Sequence, residues 1–290
     1  MDLTNHKEVT ALLERHGFRF SKSLGQNFLT AAWVPARIAD EADIAPGDGV
    51  LEIGPGVGCL TVQLASRAER VLALELDERL RGVLRETLSG HDNVSVVFAD
   101  AAKADLNALC SEHLGDRPWR VCANLPYNVT TPLLTVFLKA GCFESITVMV
   151  QKEVAARMCA RPGTGEYGAF TLLVQWYSEP ETLFDVPPDC FVPRPKVTSA
   201  VVRLRRREAP PAEVRDEGFM FAVIRSAFNQ RRKTLVNAVS AGVKGVERTD
   251  VEEALSSMGL PHTVRGEVLS PEQFARLSDL LFSARDRRHL

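Results

Sequence analysis

Residues 52–61 read EIGPGVGCLT. The run that leads into them, GDGVLEIG (47–54), is largely apolar and breaks on glycine. The run behind them, CLTVQLASRA (59–68), places apolar residues at helical spacing. Strand, glycine-rich turn and helix in that order predict the first half of a βαβ unit. Gly54, Gly56 and Gly58 let the chain turn tightly and let a ligand approach the backbone. Such turns also serve nucleotide-dependent oxidoreductases, or shape the chain alone. Pro55 and Glu52 fit a dinucleotide fingerprint poorly, and the turn lacks the lysine of a P-loop.

The same alternation continues on both sides. A helix is expected over 6–16, and another over AAWVPARIADEA (31–42). RVLALELD (70–77) reads as a second strand and ERLRGVLRETLSG (78–90) as its helix. VSVVFAD (94–100), WRVCANLPY (119–127) and SITVMVQ (145–151) read as further strands, with helices at TTPLLTVFLKAG (130–141) and QKEVAARMC (151–159). FTLLVQWYS (170–178) is an apolar run that periodicity alone does not assign, and VTSAVVRLRRR (197–207) alternates like an edge strand. Strands alternating with helices predict a mostly parallel sheet covered on both faces. The proline-rich stretch FDVPPDCFVPRPKV (184–197) changes the composition. Helical patterns follow at 219–239, 249–259 and 270–286, the last two with Asp250 and Ser270 as caps and Glu253 and Gln273 three residues on. The expectation is an α/β domain over 1–206 and a small all-helical domain over 207–290.

The chain has 290 residues, 45% of them hydrophobic, enough for a large core and a second domain. Its net charge is −2, but residues 185–235 hold 11 basic and 6 acidic side chains while 1–184 hold 17 and 23. One modest basic region on an acidic body suits either phosphate contacts or a solvated face. The six cysteines form no CxxC pair, which suits a reduced, cytoplasmic protein and implies no metal site. The N-terminal stretch lacks a signal-peptide core, and no apolar run is long enough to span a membrane.

Polar groups gather where the strands end. Glu75 closes the second strand, where a carboxylate can accept both hydroxyls of a ribose. Asp100 closes the third, within reach of an adenine amino group, and Asp77 is placed to cap the next helix. The fourth strand ends in NLPY (124–127). Adenine's exocyclic amine is a poor nucleophile because its lone pair is delocalised into the ring. Two acceptors for its hydrogens favour a tetrahedral nitrogen with a more available lone pair. The Asn124 side-chain oxygen is one candidate and the Leu125 carbonyl the other. Pro126 fixes the chain direction, and Tyr127 offers a face on which a base can stack. Methyl transfer to such a nitrogen depends chiefly on alignment and needs no strong base. Cys122, between Val121 and Ala123, reads as a core residue.

EIGPGVG, Glu75, Asp100 and NLPY in this order resemble the class I S-adenosylmethionine-dependent methyltransferases, with their Rossmann-like sheet. SLGQNFL, LEIGPGVGCLT, ANLPYNVTTPLL, MVQKEVAARM, EYGAFTLLVQ, FVPRPKVTSAVVRL and AFNQRRKTLVN further resemble, in order, the bacterial small-subunit ribosomal RNA adenine dimethyltransferase family. That resemblance implies dimethylation of two adjacent adenines in the 3′-end hairpin of small-subunit rRNA, late in subunit assembly. It implies that Glu52, Gly54, Gly56 and Gly58 wrap the cofactor's amino-acid part, with Glu75 on the ribose and Asp100 and Ala101 at the adenine. Leu24, Gln26 and Asn27 border the cofactor, and Asn124 touches both cofactor and base. Phe191 closes the target pocket opposite Tyr127. Two departures stand out: Ala99 replaces a usual glycine before Asp100, and Ser23-Leu24 a usual Arg-Phe. Similar alternatives are the large-subunit rRNA methylases of antibiotic resistance and a non-catalytic assembly factor. Arg194, Lys196, Arg203, Arg205, Arg225, Arg231, Arg232 and Lys233 are the candidates for RNA phosphates. The expected partner is the immature small ribosomal subunit, met by a monomer.

Overall fold

Burial on both faces of a strand requires cover on both sides, and β2 (Gly49–Ile53) is buried at every position. The computed structural model describes residues 1–18 and 27–287, and there β2 lies within a seven-stranded sheet. Its order is β4 (Val94–Phe98), β3 (Arg70–Glu75), β2, β5 (Trp119–Asn124), β6 (Phe143–Gln151), β9 (Ser199–Arg206), β7 (Ser178–Val186). The strands from β4 to β6 pair in parallel, and β9 joins β6 antiparallel. A separate two-residue pairing joins β1 (Phe28–Leu29) to β8 (Phe191–Val192). The chain runs outward from β2 through β3 to β4, then returns to β5 on the other side of β2. The sheet therefore reverses its direction of growth between β2 and β5, and ligands bind open α/β sheets at the carboxyl ends of such a pair.

Helices α2 (Trp33–Glu41) and α3 (Cys59–Ala65) bury Val34, Ile38, Leu60 and Leu64 in one apolar cluster with Val50 and Val71. The helix α1 (His6–Arg15) and α4 (Arg81–Thr87) place Leu12, Leu13, Val83 and Leu84 in another. α6 (Thr130–Ala140) follows β5, and α7 (Lys152–Met158) follows β6. Cys122 is fully buried, as its neighbours implied.

Four features differ from the sequence reading. A further helix, α5 (Leu106–Leu114), connects β4 to β5, its start capped by Asp105 accepting from the Ala108 amide. The strand at 199–206 is flanked on both sides, and β7, from the unassigned SEPETLFDV, ends the sheet instead. The pattern over 219–239 divides into α9 (Glu217–Asn229) and α10 (Leu235–Gly242), because the Thr234 hydroxyl caps a new start after QRRK. α11 (Arg248–Ser257) starts after Glu247 rather than Asp250; the Asp250 carboxylate accepts from the Glu247 amide. At α12 (Pro271–Arg287) the expected reciprocal cap is present: Gln273 donates to Ser270 Oγ and Ser270 to Gln273 Oε1.

The chain divides into two compact units, Met1–Ala155 with Glu179–Arg206, and Ala156–Ser178 with Arg207–Leu290. The chain passes from the first unit to the second at 206/207. The segment 156–178 was assigned to the α/β domain and belongs to the helical unit. The reason is α8 (Ala169–Tyr177): Leu172 and Trp176 share an apolar cluster with Phe221, Ile224 and Leu277. Among the described residues no helix is long and apolar enough to cross a membrane.

Candidate active site at the β2–β5 crevice

The glycine turn after β2 meets the end of β3. Gly54 (φ +68°) and Gly56 (φ +61°) adopt the left-handed conformation that side chains disfavour. A Cβ on Gly54 would meet nothing within 4 Å, whereas one on Gly56 would sit 2.9 Å from the Phe28 ring. The Gly56 amide donates to Glu75 Oε2 (3.3 Å) and the Asp77 amide to Glu75 Oε1 (2.8 Å). Each Glu75 oxygen thus keeps a lone pair for another donor. Burial pushes the Glu75 carboxyl above its usual range, and the two amides oppose that shift. Asp77 caps the following turn through the Arg79 amide.

Glu52 is 1% exposed and lines the same cavity; its Oε2 has no hydrogen-bond partner among the described residues. Burial drives its carboxyl up to about 8, with the Thr61 hydroxyl opposing and the Glu75 carboxylate adding to the rise. Asp100, by contrast, is held below the usual carboxylate range by the Ala102 amide and by Lys103.

The NLPY turn forms the other wall. The Asn124 amide nitrogen donates to the Asn27 carbonyl (3.3 Å), which fixes which end of the amide is the acceptor. The Leu125 amide is taken by the Met149 carbonyl (3.2 Å), and the Pro126 carbonyl accepts from Thr130 Oγ1 (3.1 Å). Tyr127 Oη lies 2.6 Å from Ser199 Oγ. One cavity is lined by Asn27, Glu52, Gly54, Glu75, Asp100 and Asn124, residues scattered over nearly a hundred positions of chain. Ala101, Leu125, Pro126 and Tyr127 border it as well.

Other expected residues lie elsewhere. Gly58 (φ +93°) does not line the cavity; a Cβ there would meet Leu88 and Thr87, so the glycine allows close packing beside α4. Phe191 is 2% exposed, packs in the core with Leu29 and Val34, and is not among the residues that line this cavity. Leu24 and Gln26 lie outside the described residues. The cavity also has a residue the sequence reading passed over, Leu76, which is 57% exposed at its rim. Its signal was available: a bare leucine directly after the strand-ending acid.

The basic candidates separate by their partners. Arg203 is 8% exposed and bonds Asp43, Glu181 and the Glu41 carbonyl, each at 2.8 Å. Arg205 shares both carboxylates. These two arginines fasten β9 to its surroundings, Arg203 as a buried side chain and Arg205 as a half-exposed one. Arg194 pairs with Asp189, and Arg231 donates to the Gly165 and Tyr167 carbonyls. Arg225, Arg232 and Lys233 are exposed and have no ion-pair partner among the described residues; Lys196 is exposed too.

Comparison with known proteins agrees with this layout. The family model described as ribosomal RNA adenine dimethylase matches residues 17–281. The Ribosomal RNA small subunit methyltransferase A of Geobacillus kaustophilus is 46% identical over 97% of each chain, and that of Alkaliphilus metalliredigens 43% identical over 95% of this chain and 96% of its own. Among solved structures, a dimethyladenosine transferase from Plasmodium falciparum superposes with a TM-score of 0.74 at 26% identity, over 89% of this chain and 98% of that one. The 23S rRNA methyltransferase ErmE superposes at 0.66 with 33% identity, over 88% and 99%. With a family model spanning nearly the whole chain, and relatives this similar from end to end, the chain belongs to the ribosomal RNA adenine dimethylase family.

Proposed function

We propose that this protein transfers methyl groups from S-adenosylmethionine to the exocyclic amines of two adjacent adenines in the 3′-end hairpin of small-subunit rRNA. Each amine is methylated twice, on an immature subunit in the cytoplasm, by a monomer. The observation that carries the proposal is the Asn124 amide, whose donor end is taken by the Asn27 carbonyl in the cavity that Glu52, Glu75 and Asp100 also line. Full-length relatives that carry the small-subunit name support that substrate over the large-subunit alternative.

The residues fit the cofactor. Glu75 keeps one acceptor site on each oxygen, suited to the paired hydroxyls of a ribose. Asp100 stays ionised, suited to an adenine amine. Gly54 leaves open space where any side chain would intrude. When bound, S-adenosylmethionine supplies an electrophilic methyl group on a sulfonium. In our reading the rest belongs to the chain. Asn124 Oδ1 and the Leu125 carbonyl accept the amine hydrogens and leave its lone pair free. Leu125 is held in place by the hydrogen bond its amide donates to the Met149 carbonyl, and the Pro126 carbonyl by the one it accepts from the Thr130 hydroxyl. Tyr127 holds the flipped base by stacking, which contributes about 1–3 kcal/mol per base at comparable sites. The extra proton leaves after transfer, so alignment matters more than basicity.

The test uses small subunits lacking these methylations, labelled S-adenosylmethionine, and mass spectrometry of the digested RNA. Wild type should give dimethyladenosine in the 3′-end hairpin, and Asn124→Ala should lose roughly 10²–10³-fold in rate, the scale of removing one preorganised hydrogen-bonding group. Label in naked large-subunit RNA but not in the particle would overturn the substrate.

A further inference from the structure

Tyr127 and Ser199 are 72 residues apart in sequence, yet their hydroxyls lie 2.6 Å from one another. Ser199 is the first residue of β9, paired with Gln151 of β6 and 0% exposed. Its neighbour Thr198 is tied down as well, its carbonyl accepting from the Lys152 amide at 3.0 Å. Ser199 is therefore part of the rigid sheet. Tyr127 is not: it sits in the turn between β5 and α6, half-buried, and lines the cavity. Neither hydroxyl has another partner among the described residues. The phenol is protonated near neutral pH, and burial shifts it further that way, so it can donate as well as accept. A ring whose far end is bonded to a strand cannot swing about χ1 without breaking that bond.

We propose that Ser199 is a positioning residue for the target base: by holding the Tyr127 hydroxyl, it fixes the plane on which the base stacks. The proposal rests on the reading of Tyr127 as the stacking platform. It has a consequence for the second transfer. The monomethylated amine has a single hydrogen left to donate to Asn124 and Leu125, so its orientation depends more on the stacked plane. A loosened ring therefore slows the second methylation more than the first.

The experiment compares wild type, Ser199→Ala, Tyr127→Phe, the double variant and Tyr127→Ala, as full chains, on unmethylated small subunits with labelled S-adenosylmethionine. The readouts are kcat, KM for the particle, cofactor affinity by calorimetry, and the ratio of mono- to dimethyladenosine. Ser199→Ala and Tyr127→Phe should each lower kcat about three- to tenfold, the effect of one hydrogen bond. Cofactor affinity should stay at the wild-type value, the monomethyl fraction should rise, and the double variant should match the single ones because both remove one interaction. Losses that multiply in the double variant would overturn the proposal. So would a Ser199→Ala loss that only tracks its folded fraction at an unchanged product ratio. Full activity in Tyr127→Ala would remove the platform itself, whereas a wild type that leaves the particle unmethylated would refute the proposed substrate.

Discussion

The glycines at 54 and 56 look equivalent in sequence, and the structure predicts opposite consequences for replacing them with alanine. Both sit in the left-handed region, where a Cβ costs about 1–2 kcal/mol. At Gly56 the added atom also lies 2.9 Å and 3.1 Å from two carbons of the Phe28 ring, and overpacking of that kind adds about 1–3 kcal/mol. Gly56→Ala should therefore lose about 3 kcal/mol of stability and roughly 5–10 °C in Tm. At Gly54 the added atom meets no protein atom but enters the cavity. Gly54→Ala should lose only about 1 kcal/mol, yet weaken S-adenosylmethionine binding by roughly tenfold or more, since the methyl group occupies ligand space. Scanning calorimetry of the free protein and titration calorimetry with the cofactor separate the two effects. A Gly54→Ala variant that binds the cofactor like wild type, or loses as much Tm as Gly56→Ala, would refute the claim that the first glycine faces the ligand and the second the protein.

Arg203→Ala should destabilise by about 3 kcal/mol, because it removes a buried guanidinium from two carboxylates and a carbonyl; chemical denaturation measures this, and affinity for RNA at matched folded fraction should not move. The double variant Arg232→Ala with Lys233→Ala should leave stability unchanged and lower the slope of log affinity against log salt by about 2, measured by filter binding to the particle. An unchanged slope would remove these side chains from the RNA contacts. Glu52 binds a proton in the folded state up to about pH 8 that the unfolded chain releases near its ordinary value. Stability should therefore fall as pH rises through that window, by up to about 1.4 kcal/mol per pH unit, and level off above it. Glu52→Gln should be flatter by one proton between pH 5 and 8, a comparison that denaturation midpoints across this range would settle.

How far the sequence carries depends on how local each signal is. The strand–glycine–helix unit at 47–68, the acids closing β3 and β4, and the NLPY turn are each written within a few consecutive residues, and all were legible. The helix α5 was missed although its signals are local: a parallel step from β4 to β5 requires a crossover element, and Asp105, Leu106, Cys110 and Gly115 mark its cap, its buried face and its end. The strand β7 was not legible, because SEPETLFDV carries charges on a face that the sheet leaves largely open. The helical unit's claim on 156–178 was likewise hidden, since an apolar run states that it is buried but not against what.

Sequence alone therefore determined the family of chemistry, because the cofactor turn, the strand-end acids and the NLPY tetrapeptide have meanings that depend on chain order and side-chain type. Tertiary structure decided which of the candidate residues come together. It brought β2 and β5 side by side, so that residues dozens of positions apart share one cavity. It sent Gly58 and Phe191 into packing and spent Arg203 and Arg205 on neighbouring carboxylates. It also linked Tyr127 to Ser199. The physical reason is that a side chain's role is set by the partners it meets, and for these residues the partners are distant in sequence. Burial, pairing and orientation belong to the fold, whereas the capacity to accept a hydrogen, stack on a base or turn a chain belongs to the residue.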